Sequence, residues 1–190
     1  YLSATARKFL RGPRGVGFLY VSDRVLQAGA HPLLVDMHGA TWTEADAFAL
    51  TPDARRFETW EFAFALVLGL GAAAEYALDV GVERGGGRAR ELAQYARVRL
   101  AALPGVRVLD RGPELCAIVT VALAGHEAND VKLQLRAQGI NTSSPHREDA
   151  VIDMDEKQTA SALRISPHYY NTREEIDTAV DALAEVVGSV

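Results

Sequence analysis

The chain has 190 residues, 48% of them hydrophobic and 24% charged, enough for one ordinary domain or two small ones and too apolar for disorder. A net charge of −5 argues against a general nucleic-acid-binding face, which needs a basic surface. The single cysteine, Cys116, excludes an internal disulfide framework and fits a reducing compartment.

In chain order, "ARKFLRGPRGVG" opens with a tight basic group, Arg7, Lys8, Arg11 and Arg14, and a glycine-rich turn. "VGFLYV" (16–21) follows and reads as a strand. "SDRVLQAG" reads as one or two helical turns, and 36–55, with "HGATW" and "ALTPDA", reads as loop. A long helix is expected from about Thr59, its cap, to Leu78. Its apolar run "FAFALVLGLGAAA" (62–74) is shorter than the roughly 18 residues a membrane span needs, so it reads as a helix buried on most sides. The start of the chain lacks the basic-then-apolar pattern of a signal peptide. A second helix is expected to run to about Leu103, with Leu92, Tyr95, Val98 and Ala102 at helical spacing and "PG" at 104–105 as its stop. Gly85, Gly86 and Gly87 would each cost about 1 kcal/mol inside it, delaying its start or weakening its first turns.

Beyond residue 104 the pattern changes. "VRVLD" and "CAIVTVAL" read as strands, "HEANDVKLQLRAQG" as a helix stopped by Gly139, and "INTS" and "SALRIS" as short strands. The last helix opens on the capping box Thr172-x-x-Glu175 and presents Ile176, Val180, Leu183 and Val187 on one face. This order predicts an α+β unit, an antiparallel sheet with helices on one side. The domains expected are 1–104 and 105–190.

Several candidate motifs fail on order or context. "GPRGVG" is not a nucleotide loop, because its lysine precedes the glycines and a strand follows them. His31, His38, His126, His146 and His168 lack metal-ligand spacing and read as surface or loop histidines, with no metal expected. Ser143 and Ser144 have no nucleophile-elbow glycines. Cys116 sits in an apolar strand pattern and reads as a buried, inert thiol. Arg164, in a short strand beside "SPHYYNT", is open between a structural ion pair and a bidentate clamp for a carboxylate.

Taken together, three stretches resemble the class V aminotransferase and cysteine desulfurase family, fold-type I enzymes that use pyridoxal 5'-phosphate (PLP). They are "ATARKFLRGPRGVGFLYV", "RRFETWEFAFALVLGLGAAAEYALDVG" and "LRISPHYYNTREEIDTAVDAL". The resemblance implies an α/β fold, the C-terminal part of a fold-type I PLP-dependent transferase. Residues 1–104 would be the tail of the large, PLP-binding domain and 105–190 the small α+β domain. Lys8 would form the Schiff base with the cofactor and move protons at the substrate α-carbon once freed. Thr5 and Arg7 match positions that touch the cofactor phosphate, and Arg164 matches the arginine that holds the substrate α-carboxylate. Thr59 stands near the family's turn that reaches a neighbouring subunit's phosphate, although "TWEFA" replaces the usual turn.

The resemblance also implies an amino acid or related amine as substrate, a homodimer or other self-association, a cytoplasmic setting, and no nucleic-acid or membrane partner. A complete member is about twice this length, and its N-terminal half carries most of the central sheet and other cofactor contacts. The expectation is therefore a C-terminal portion, weakly active or inactive alone, with apolar surface left bare. Residues 139–166 carry no cysteine where desulfurases have a mobile one, so desulfurase chemistry is disfavoured and aminotransferase, lyase or epimerase chemistry stays open. A non-catalytic binding or dimerisation module is the alternative.

Overall fold

The computed structural model describes residues 1–188. The chain divides into two compact units, 1–80 and 81–190. The helix before residue 104 thus falls with the second unit, although the sequence places it before the 104/105 boundary.

The first unit opens with a hairpin, β1 (Leu2–Thr5) and β2 (Gly17–Tyr20), paired antiparallel from Leu2↔Tyr20 to Thr5↔Gly17. After the short helix α1 (Asp23–Gln27) comes a second hairpin, β3 (Ala40–Glu44) and β4 (Ala47–Leu50). This hairpin corrects the loop expected over 36–55. Its residues are nearly all exposed, so no buried face imposes the apolar alternation that marks a strand.

Helix α2 (Phe64–Val80) corrects two expectations. Thr59 does not cap it: Leu66 and Val67 donate their N–H groups to the Ala63 carbonyl, so the first turn closes there. No residue of α2 is buried, so it is not enclosed on most sides. Its half-buried positions are Leu66, Gly69, Leu70, Ala73, Ala74, Ala77 and Val80, a single stripe at helical spacing. The stripe carries small residues, Gly69 and Ala73, where the glycine-rich turn presses on it. A Cβ at Gly69 would lie 2.6 Å from Pro13 Cγ, and one at Gly12 would lie 3.4 Å from Ala73 Cβ.

The second unit is a three-stranded antiparallel sheet with order β5 (Val106–Val108), β6 (Val119–Leu123), β7 (Leu163–Ile165). Helices α3 (Val82–Ala101), α4 (Ala128–Ala137) and α6 (Arg173–Val187) share a core with it that includes Leu92, Leu100, Val119, Val121, Val131, Leu135, Leu163, Val180 and Leu183. The strand alternation explains which face is covered: Val119, Val121 and Leu123 are buried, while Thr120 and Ala122 face the other way. On that second face a short helix, α5 (Val151–Glu156), sets Met154 against Leu109 and Ala162. The α+β expectation therefore holds, with one short helix added on the second face.

The glycine triplet lies inside α3, whose first residue is Val82. Gly85 is buried, and a Cβ there would stand 3.1 Å from Tyr169 Cδ1, so the helix meets the "HYYNT" segment at a position with no side chain. Gly139 ends α4 in the left-handed region at φ 81°. The capping box forms in full: Glu175 N donates to Thr172 Oγ1 at 3.2 Å and Thr172 N donates to Glu175 Oε2 at 3.0 Å.

Candidate functional site

Lys8 stands in the turn that joins β1 to β2, and its side chain is exposed. The loop beneath it is tightly bonded to itself. Ala6 is wholly buried; its N–H donates to the Val16 carbonyl at 3.0 Å and its carbonyl accepts from Gly12 N at 2.9 Å. Arg11 N donates to the Lys8 carbonyl at 2.9 Å, and Arg11 adopts a left-handed φ of 57°. Its guanidinium lies 5.1 Å from the Tyr76 ring centre on α2. The lysine thus rides on a compact loop held against a helix; Arg7 precedes it on the same turn, and Thr5 ends β1 just before it, both exposed.

Thr5 lines a shallow pocket of about 380 Å³ with Gly15, Val16 and Gly17. The same three residues line a larger, mostly apolar groove of about 610 Å³ that contains Phe57, Glu58, Thr59 and Phe62. Thr5 and Thr59 therefore border pockets that share one glycine-rich wall. Thr59 itself is exposed, and its hydroxyl donates to the Glu61 carbonyl at 3.1 Å. The segment carrying it is fixed by Arg56, 6% exposed, which donates to the carbonyls of Thr51, Leu26 and Ala30. Asp36 accepts from Trp60 N at 3.0 Å, which together with the Met37 N–H holds its carboxyl below the usual range.

Arg164 lies in the second unit, in the middle of β7. Leu163 and Ile165 point into the core, and Arg164 points to the opposite face. It is paired in register with Thr120 on one side and bridged to Ser143 on the other, where Ser143 N donates to the Arg164 carbonyl and Arg164 N to the Ser143 carbonyl. Its Nε is buried without a hydrogen-bond partner among the described residues, and no carboxylate among them pairs with it. Of the two readings the sequence left open, the structural ion pair is absent here.

One group escaped the sequence reading. Arg97 and Asp110 form a buried pair, their side chains 7% and 9% exposed, with Arg97 Nε donating to Asp110 Oδ2 at 2.7 Å. The arginine sits on a helix whose periodicity explains it as an ordinary charge, and its partner is thirteen residues away on another element. Cys116 also departs from expectation: it is exposed, in the loop before β6, because β6 begins only at Val119. No cluster of three or more metal-ligating side chains occurs among the described residues. Among the described residues no single helix is long and apolar enough to cross a membrane.

The aminotransferase class-V family profile matches residues 1–179. The chain belongs to the class-V aminotransferase family. A probable cysteine desulfurase 1 of Mycobacterium leprae is 31% identical over 180 residues, covering 92% of this chain and 28% of that protein. The cysteine desulfurase CsdA of Escherichia coli superposes with a TM-score of 0.83 at 26% identity, over 98% of this chain and 45% of that one. The cystine C–S lyase C-DES, solved with its product cysteine persulfide, superposes with a TM-score of 0.76 at 22% identity, over 95% of this chain and 45% of that one. A C-DES mutant carries glycine linked covalently to its PLP cofactor.

The chain thus has the fold of the C-terminal portion of a fold-type I PLP-dependent enzyme and spans less than half the length of these relatives. Class-V relatives named as cysteine desulfurases count against setting that chemistry aside on the cysteine-free loop alone, and the earlier expectation is corrected accordingly.

Proposed function

We propose that this class-V chain carries the cofactor lysine and the substrate-carboxylate arginine of a PLP-dependent enzyme acting on an amino acid. Carbon–sulfur chemistry stands first among the reactions to test. The observation that carries the reading is Lys8, exposed on a loop whose backbone is locked from below by Ala6, Gly12 and Val16.

The residues present fit the cofactor. Thr5 offers a hydroxyl and Arg7 a guanidinium, the donors a phosphate group takes, within three residues of an exposed amine suited to an aldehyde carbon. Thr59 stands on the neighbouring groove wall as a further hydroxyl. Arg164 brings a planar fork whose Nε has no partner among the described residues, as a carboxylate clamp requires. When bound, PLP supplies an electron sink for bonds at the amino-acid α-carbon. The chain's part is to grip the carboxylate through Arg164, which fixes the orientation of that carbon, and to hold or move its proton through the Lys8 amine.

The same reading expects a homodimer or other self-association, a cytoplasmic setting, and a small amino acid rather than nucleic acid or lipid as partner. Desulfurase, lyase, aminotransferase and epimerase outcomes differ in product, so one assay separates them. The chain is incubated with PLP and either L-cysteine with a thiol reductant, L-cystine, or L-alanine with a 2-oxo acid as amino acceptor, and sulfide, protein-bound persulfide, alanine, pyruvate and racemised substrate are measured. The reading predicts turnover that disappears in Lys8→Ala and shows a raised KM in Arg164→Ala. Saturable cofactor binding with no product from any substrate would favour a non-catalytic module instead.

A further inference from the structure

Arg164 lies opposite a buried charge relay that begins far from it in sequence. Arg97 Nη2 donates to the carbonyls of Cys116 and Ile118, at 2.7 and 2.8 Å, which fixes the backbone leading into β6. Its Nε donates to Asp110 Oδ2 at 2.7 Å. The other oxygen, Asp110 Oδ1, accepts from Thr120 N at 3.0 Å and from the Thr120 hydroxyl at 2.6 Å. Thr120 is the register partner of Arg164 in β7.

The chemistry of this arrangement poses a conflict. A buried carboxylate one strand away from a cation with no acidic partner should capture it. Asp110 instead spends both oxygens on Arg97 and Thr120, and Arg164 is left without a carboxylate among the described residues. We propose that Arg97 is a positioning residue for the Arg164 site: by neutralising Asp110 and fixing the approach to β6, it keeps Arg164 available to an external carboxylate. The inference rests on the proposed reading of Arg164 as a carboxylate clamp.

The test follows the Arg164 Nε–Hε resonance of the 15N-labelled chain, assigned by its loss in Arg164→Lys, during titration with L-alanine. Wild type should give a saturable shift. Arg97→Gln should weaken the affinity by about tenfold or more and displace the resonance before any ligand is added, because Asp110 then turns to Arg164. Arg97→Lys, which keeps the charge, and Arg97→Gln/Asp110→Asn, which removes both, should each stay within about twofold of wild type. Arg97→Met, which keeps an apolar stem in place of the guanidinium, serves if Arg97→Gln does not fold, and should weaken the affinity by the same margin. Unchanged affinity in Arg97→Gln or in Arg97→Met overturns the inference while leaving the clamp intact. No shift in wild type overturns the clamp reading, and the inference with it.

Discussion

Arg97 and Asp110 carry a large consequence for stability. Both are nearly inaccessible, so solvent does not screen their interaction, and removing one leaves the other charged and uncompensated. Breaking such a pair costs about 3–5 kcal/mol. Arg97→Ala is therefore expected to lower the urea midpoint by a corresponding margin, whereas breaking a solvent-screened surface pair such as Arg55–Asp53 should leave the midpoint nearly unchanged. Equal small losses for both pairs would contradict the buried-network account. The sequence shows neither partner as special, because a charge on a helix face and an aspartate after a strand are each ordinary by themselves. Lys8 and Arg164 were legible only as members of a combination of motifs; spacing alone left Arg164 undecided. The structure adds the orphaned Nε, a property that depends on what the neighbouring strands do not provide.

At the scale of the element, α3 offers a direct comparison among its own glycines. A Cβ at Gly87 would meet nothing within 4 Å, while one at Gly85 would press on Tyr169 at 3.1 Å. Gly87→Ala should stabilise the chain by about 0.5–1 kcal/mol through helix propensity and a less flexible unfolded state. Gly85→Ala should gain less or lose, because Tyr169 must move. Thermal unfolding of the two variants checks this, and equal gains would deny the close packing.

Helix α6 supplies a pH prediction. The Asn171 side chain, then the Thr172 N–H, hold Glu175 below its ordinary value of 4.5. A carboxylate depressed in the folded state contributes stability above its unfolded value and loses it as pH falls through the folded one. Acid unfolding of Glu175→Gln should therefore be flatter below about pH 4.5 than that of wild type. An unchanged acid limb would show that the box adds nothing there. This cap was legible because four contiguous residues specify it. The β3–β4 hairpin was not, since its turn lacks the Asn-Gly or Asp-Gly signal and its strands have no buried face.

Across the whole chain, apolar exposure is the main unresolved tension between composition and structure. On α2 alone, Leu68 is 75% and Leu78 71% exposed, and Trp42 on the β3–β4 hairpin is 78% exposed. Patches of this kind are rarely left bare in water. The run 62–74 was read as buried because apolar composition reports that a surface wants cover, not which chain supplies it. Self-association is the expected outcome, and sedimentation at micromolar concentration should show species heavier than the 20.5 kDa monomer. A lone monomer at every concentration would contradict it.

The central claim is that Lys8 is the residue that engages PLP. The most direct measurement is an absorbance titration of the chain with PLP, followed by borohydride reduction and peptide mapping. The account predicts a saturable new band, with the reduced adduct on Lys8 and its loss in Lys8→Ala. Adducts scattered over surface lysines, or no saturable band, would contradict it.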